Sequence, residues 1–251
     1  MPLRYCYRKI GECYLLGKNL IKSQQYLNLS LKATGGSIYI HFNLGLFYHK
    51  VGDYQNAQDY LMYFYINKPY DSPICYHLAL NFYHKKDFEN SVTYCTKALL
   101  NDNYNHKAHF LMSELQIRKG QFQDALLCLH WAQRYQEFNR KKIGCGVHRN
   151  LRHQPDFKEL GGEEEEGDFT ADQLKLNKGV CYFYLYKLEH AKEQFLQVKN
   201  PLTRVKAMFN LLSLSFLSYQ EEYTEYSHQQ LNSDIEYLKG GELGKDVEQL
   251  Q

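Results

Sequence analysis

The sequence predicts an all-α protein, an α-solenoid of about six helical hairpins broken by one flexible insertion. Two observations carry this: a 34-residue recurrence of small and aromatic residues, and a composition poor in the residues that turn β-strands. The 251 residues include 23 tyrosines and 14 phenylalanines but one tryptophan and five prolines. Scarce proline and few Asn-Gly or Asp-Gly pairs argue against many short strands and leave helices as the home of the rings. A hydrophobic content of 44% supports a substantial buried core. The formal charge of +2 and pI near 8.0 supply no overall field for nucleic acid or an acidic membrane surface.

The recurrence is plainest in FNLGLFYHKVGDYQNAQDYL, residues 42–61, which aligns with residues 77–99 at an offset of 34. Four windows tile without a gap, 4–37, 38–71, 72–105 and 106–139. The eighth place of each holds Gly11, Gly45, Ala79 and Ser113, and the twentieth holds Ser23, Ala57, Ser91 and Ala125. Aromatic and apolar residues recur between them, with Tyr14, Tyr48 and Phe82 at the eleventh place and Leu20, Tyr54, Phe88 and Phe122 at the seventeenth. The twenty-fourth place holds Leu27, Leu61, Cys95 and Leu129. Each window therefore reads as one helical stripe, a break near Gly52 or Gly120, and a second stripe. Small residues are expected where the two helices cross closely, because a larger side chain would push the backbones apart.

Leu44-Gly45, Tyr48, Tyr54, Ala57, Leu61 and Pro69 resemble, place by place, the tetratricopeptide repeat, a 34-residue helix-turn-helix unit. The fourth-place tryptophan of that pattern is absent from all four windows, and the late proline appears only as Pro69. A pentatricopeptide repeat, which would imply RNA, is disfavoured because its period is one residue longer. The resemblance implies a right-handed solenoid whose first helices line a concave groove that binds protein segments. The groove-facing places fall here on Tyr5, Arg8, Tyr39, Phe42, Asn43, Lys50, Tyr76, His77, Tyr83, Lys107, Phe110 and Arg118. Rigid rings beside cations suit a peptide or helical partner segment, including an acidic one. The family's chaperone-binding clamp would fall on Arg8, Glu12, Asn43, Pro73 and His77, and Glu12 and Pro73 argue against it.

The pattern stops after residue 139, and residues 140–170 read as a flexible charged insertion with a basic front and an acidic back. The helix before it is expected to run to about Phe138. Repeat character returns with Gly179, Tyr182, Leu188, Ala191 and Phe195 in a fifth window, 172–205. A sixth, 206–239, places Phe209, Leu212, Ser213 and Phe216 on its first helix and turns polar afterwards, as a capping repeat does. Residues 240–251 read as a frayed tail. The first window opens without a polar cap, which fits either an exposed end or a neighbouring repeat in a longer solenoid.

No phosphate-binding glycine loop, GxSxG or HExxH motif occurs, so no enzymatic activity and no cofactor are expected. Cys145, His148 and His153 in the insertion are three potential zinc ligands at a spacing that fits no zinc pattern, and Glu163–Glu166 with Asp168 reads as a solvated acidic run, so no metal is expected. Arg140, Lys141, Lys142, Arg149 and Arg152 could serve as a nuclear signal, an RNA contact or an internal partner for the acidic run, the last being favoured. The seven cysteines read as buried, reduced thiols. No apolar run reaches membrane-spanning length, and a cytoplasmic protein-binding scaffold or adaptor is the expectation. The alternative is an architectural subunit, held through its edges and convex side, as in ciliary or ubiquitin-ligase assemblies built from such repeats.

Overall fold

The structure is a computed structural model that describes residues 3–17, 19–33, 38–144, 169–218, 229 and 232–233. The described residues are helical, without strands. Helices α1 (Leu3–Leu16) and α2 (Leu20–Lys32), α3 (Ile38–Val51) and α4 (Tyr54–Asn67), and α5 (Ser72–His84) and α6 (Phe88–Asn101) form three antiparallel pairs. They are followed by α7 (His106–Arg118), α8 (Phe122–Gly144), the pair α9 (Ala171–Tyr184) and α10 (Leu188–Leu196), and α11 (Pro201–Ser218). The chain divides into two compact units, the first of residues 1–115 and 138–167 and the second of 116–137 and 168–251. That boundary falls inside the fourth sequence window rather than after it.

The turns after α3, α5, α7 and α9 follow one geometry. At the fifteenth place the backbone crosses into positive φ, at +86° for Gly52 and +76° for Gly120, and also at +63° for Lys86 and +57° for Tyr186. The next residue's N–H then returns to a carbonyl five residues back, Asp53 to Tyr48, Asp87 to Phe82 and Lys187 to Tyr182. This left-handed closure satisfies carbonyls that the end of a helix would otherwise leave bare. The same residue usually caps the helix that follows. Side-chain oxygens of Asn19, Asp53 and Asp87 accept from the N–H groups of Lys22, Asn56 and Asn90, whereas Lys187 makes no side-chain cap.

Packing explains the small residues. A Cβ placed on Gly11 or Gly45 would stand 2.8 Å and 2.7 Å from Leu27 and Leu61 on the opposite helix, and one on Gly179 would stand 2.4 Å from Phe195. Eighth-place glycine and twenty-fourth-place side chain are thus knob and hole. The twentieth-place serines do more than stay small. Ser23 Oγ donates to the Gly11 carbonyl at 2.9 Å and Ser91 Oγ to the Ala79 carbonyl at 2.8 Å, so each buried hydroxyl is satisfied across the crossing. Around these contacts lie Leu15, Leu27, Ile40, Leu44 and Phe47 in one cluster and Leu61, Phe64, Ile74, Leu78 and Leu115 in another. Phe195, Val198, Met208 and Leu211 form the core of the second unit.

Three expectations need correction. Helix α8 continues to Gly144, through the expected helix end at Phe138 and the expected start of the insertion. Helix α11 begins at Pro201, ahead of the expected window at 206. The cause is the nine-residue α10, after which Asp172 Oδ2 accepts from the N–H groups of Lys199 and Asn200, and Asn200 Oδ1 accepts from that of Leu202. The early start rotates the helix, burying Ala207, Met208, Leu211 and Leu214 while Phe209 is 56% exposed and Ser213 faces solvent. Among the described cysteines, all free, Cys75, Cys95 and Cys181 are buried, but Cys13 is exposed because it lies on the outer side of α1.

Candidate partner-binding face

In the first unit α1 meets α3 and α3 meets α5, so first helices lie side by side and their outward residues share a face. The recurring groove places supply that face, but unequally. Tyr5, Tyr39, His77, Tyr83, Lys107 and Phe110 are half-buried. Phe42 and Tyr76 are 5% and 6% exposed and belong to the hydrophobic core, which removes them from the surface expected of them. Their rings are drawn inward by aromatic neighbours, Phe42 by Phe64 at 5.2 Å and both by His77 at 5.5 and 5.1 Å. Lys50 reaches across to α1, donating from Nζ to the Leu15 carbonyl at 3.4 Å, and so serves the packing of neighbouring repeats. Arg118, in the second unit, is exposed at the end of α7.

The most developed part of the face centres on Tyr39. Its ring packs edge-on to Phe64 at 5.7 Å and takes two cations, Arg8 at 5.8 Å and Lys68 at 4.5 Å from its centre. Arg8 also lies 5.2 Å from the ring of Tyr5. Arg8 itself is 5% exposed and spans to Glu12 at 3.6 Å, with Lys9 at the same distance from that carboxylate. Glu12 therefore does not stand in the face as a bare negative charge. Lys68, the residue that caps α4, donates from Nζ to the Tyr39 hydroxyl. It occupies a turn, outside the helical stripe from which groove places are read, and sequence reasoning missed it.

Beside this, Asn43 is 2% exposed, and its amide nitrogen finds no acceptor among the described residues. His77 is held neutral: burial first, then the Lys107 ammonium and, least, the His49 ring push it down to about 3. His49 is likewise lowered by burial, against a hydrogen bond with Asn81 that raises it. The Asn81 amide nitrogen donates to the Tyr54 carbonyl at 2.9 Å, leaving its oxygen for the 3.1 Å contact with His49 Nδ1, which must then carry the proton. Histidines here are structural acceptors and donors rather than charges. Among the described residues no group of three or more His, Cys, Asp or Glu side chains is placed to hold a metal ion, and no described helix is long and apolar enough to cross a membrane. Cys145, His148, His153, Glu163–Glu166, Asp168, Arg149 and Arg152 lie outside the described residues, as do the side chains of Arg140, Lys141 and Lys142.

Helical hairpins recur every 34 residues with a small residue at the crossing, glycine in three of them, and the tetratricopeptide repeat model matches residues 38–62 and 72–105. Those residues carry tetratricopeptide repeats. No curated protein matches its sequence. Solved tetratricopeptide-repeat structures share its fold. That of Pseudomonas aeruginosa pilF has a TM-score of 0.67 at 11% identity over 99% of this chain and 97% of that chain. PilW, a widely conserved type IV pilus biogenesis factor, gives 0.67 at 13% identity over 98% and 99%. A chain of the APC/C hetero-tetramer Cut9-Hcn1 gives 0.69 at 10% identity, over 97% of this chain but 42% of its own length. At such identities the likeness is one of fold, and it supports an all-α solenoid.

Proposed function

We propose that this protein is a scaffold that binds a partner segment, a peptide or helix, on the first-helix face of its first unit. The observation that carries the reading is the uneven burial of that face. Its inner rings, Phe42 and Tyr76, are closed into the core, while Tyr5, Tyr39, Tyr83 and Phe110 keep part of their surface beside Arg8, Lys68 and Lys107. Rings held rigid in this way bury area on binding with little entropic cost, and adjacent cations steer and orient the segment.

Affinity capture from cells with mass spectrometry, comparing the native chain with a Tyr39→Ala, Tyr83→Ala, Phe110→Ala variant of matched helicity, tests this. Loss of a dominant partner supports the face. Retention of every partner supports a second reading, that of an architectural subunit held through other surfaces. One feature favours that alternative: Ile66 and Leu100 are 73% and 80% exposed at equivalent places, as are Tyr70, Tyr104 and Phe138 at 86%, 59% and 51%. This row on the second-helix side of the first unit repeats with the 34-residue period, and one structural match is itself part of a hetero-tetramer.

A further inference from the structure

The Tyr39 centre holds a hydrogen-bonding pattern that the fold does not consume. Because Lys68 Nζ donates to the Tyr39 oxygen, the phenol's own O–H remains to donate, and among the described residues it meets no acceptor. Lys68 keeps further N–H groups and, among the described residues, faces no carboxylate. Two donors in direct contact, one of them charged, therefore border the same point of the first-helix face. Their placement is over-determined: the ring of Tyr39 is fixed against Phe64 on one side and beneath Lys68 on the other, and Lys68 is tied to the end of α4 by its own N–H to the Phe64 carbonyl. Arg8 adds a second positive charge over the ring. The acids nearby are engaged elsewhere, Glu12 by Arg8 and Lys9, and Asp71 by the N–H of Ile74 that it caps.

We propose that the Tyr39 O–H and the Lys68 ammonium form a two-donor subsite for an oxyanion, a carboxylate or phosphate group carried by the bound partner segment. The inference rests on the segment-binding reading above and specifies its chemistry. One anionic oxygen, or the two oxygens of one carboxylate, accepts from both donors at once; a neutral amide in its place leaves the ammonium without its charge partner. The subsite thus selects a segment with an Asp, Glu or phosphorylated side chain next to the apolar groups that cover Tyr5 and Tyr39. It differs from a point charge on the surface in needing the phenol hydroxyl as well as the amine.

Selection of a phage-displayed random peptide library on the full chain, on Tyr39→Phe and on Lys68→Arg tests the subsite. Tyr39→Phe keeps the ring on Phe64 and removes one donor, and Lys68→Arg keeps the charge; both are first matched to the native chain by thermal melting. The expected result is a consensus with Asp or Glu at one fixed position on the native chain and on Lys68→Arg, lost on Tyr39→Phe. A resynthesised consensus peptide then binds the native chain about tenfold more weakly when its Glu is replaced by Gln, and Tyr39→Phe removes most of that difference. The same peptide with phosphoserine at that position separates the two sources: tighter binding than Glu assigns phosphate, weaker binding assigns carboxylate. A consensus without an acidic position, or one unchanged on Tyr39→Phe, overturns the subsite while leaving segment binding intact. Failure to select any convergent peptide overturns segment binding and the subsite with it.

Discussion

The hairpins α3–α4 and α9–α10 are built to the same plan from different materials. Both cross at an eighth-place glycine, Gly45 against Leu61 and Gly179 against Phe195, with a buried alanine, Ala57 or Ala191, at the twentieth place. Their turns diverge. In α3–α4 the left-handed residue is Gly52 and the following Asp53 caps the next helix, whereas in α9–α10 these positions are Tyr186 and Lys187, a side chain in a strained conformation followed by no cap. The second hairpin also has the shorter second helix, nine residues against fourteen. The difference teaches that the helix crossing specifies this fold and that turn chemistry only refines it: where the crossing is kept, a poor turn is tolerated and the helix after it shortens.

The strongest way to break this comparison is to attack the crossing in both hairpins. Gly45→Leu and Gly179→Leu should each destabilise their unit by about 3 kcal/mol or more, since the added carbons must displace Leu61 or Phe195 within a packed core. Equal thermal stability of either variant and the native chain would refute the crossing as the specifying contact. Acid should sharpen the contrast between units. His77 of the first unit is held near 3 against an ordinary 6.5, so the unfolded chain binds its proton first, and the contribution of this group to stability is complete above 6.5 and lost as pH falls toward 3. Chemical denaturation across that window should weaken the first unit, and His77→Phe should flatten the slope.

Smaller effects lie in the turns. Asp87→Ala removes the cap of α6 at a cost of about 1 kcal/mol, and Lys187→Asp should return a similar amount to α10, both read from urea melts. Tyr186→Gly relieves the left-handed strain but loosens the unfolded chain, for a net gain of about 0.5 kcal/mol in the same assay. If Gly at 186 destabilised instead, the exposed Tyr186 side chain would have a role beyond the turn.

The crossings were legible in the sequence because a steric requirement leaves a mark at one place in every repeat, and Gly11, Gly45, Ala79 and Gly179 carry it openly. The left-handed turn was legible only at Gly52 and Gly120; Lys86 and Tyr186 adopt it because the crossing imposes it, leaving no local signature. The register of α11 escaped because a fixed period cannot register a helix that ends early, as α10 does at Leu196. For the binding face, periodicity finds which residues point outward from a helix but not how deeply neighbouring repeats cover them. That is why Tyr39 remains at the surface while Phe42 and Tyr76 sink into the core, and why Lys68, contributed by a turn, leaves no mark in the helical period.

The central claim is that partners engage the first-helix face of the first unit. It is tested most directly by a photo-crosslinking amino acid introduced in cells at position 83, on that face, and separately at position 100, on the exposed second-helix row. The account predicts a discrete crosslinked partner from the position of Tyr83 and little from that of Leu100. Crosslinks confined to the position of Leu100 would contradict it and make the outer apolar row the working surface.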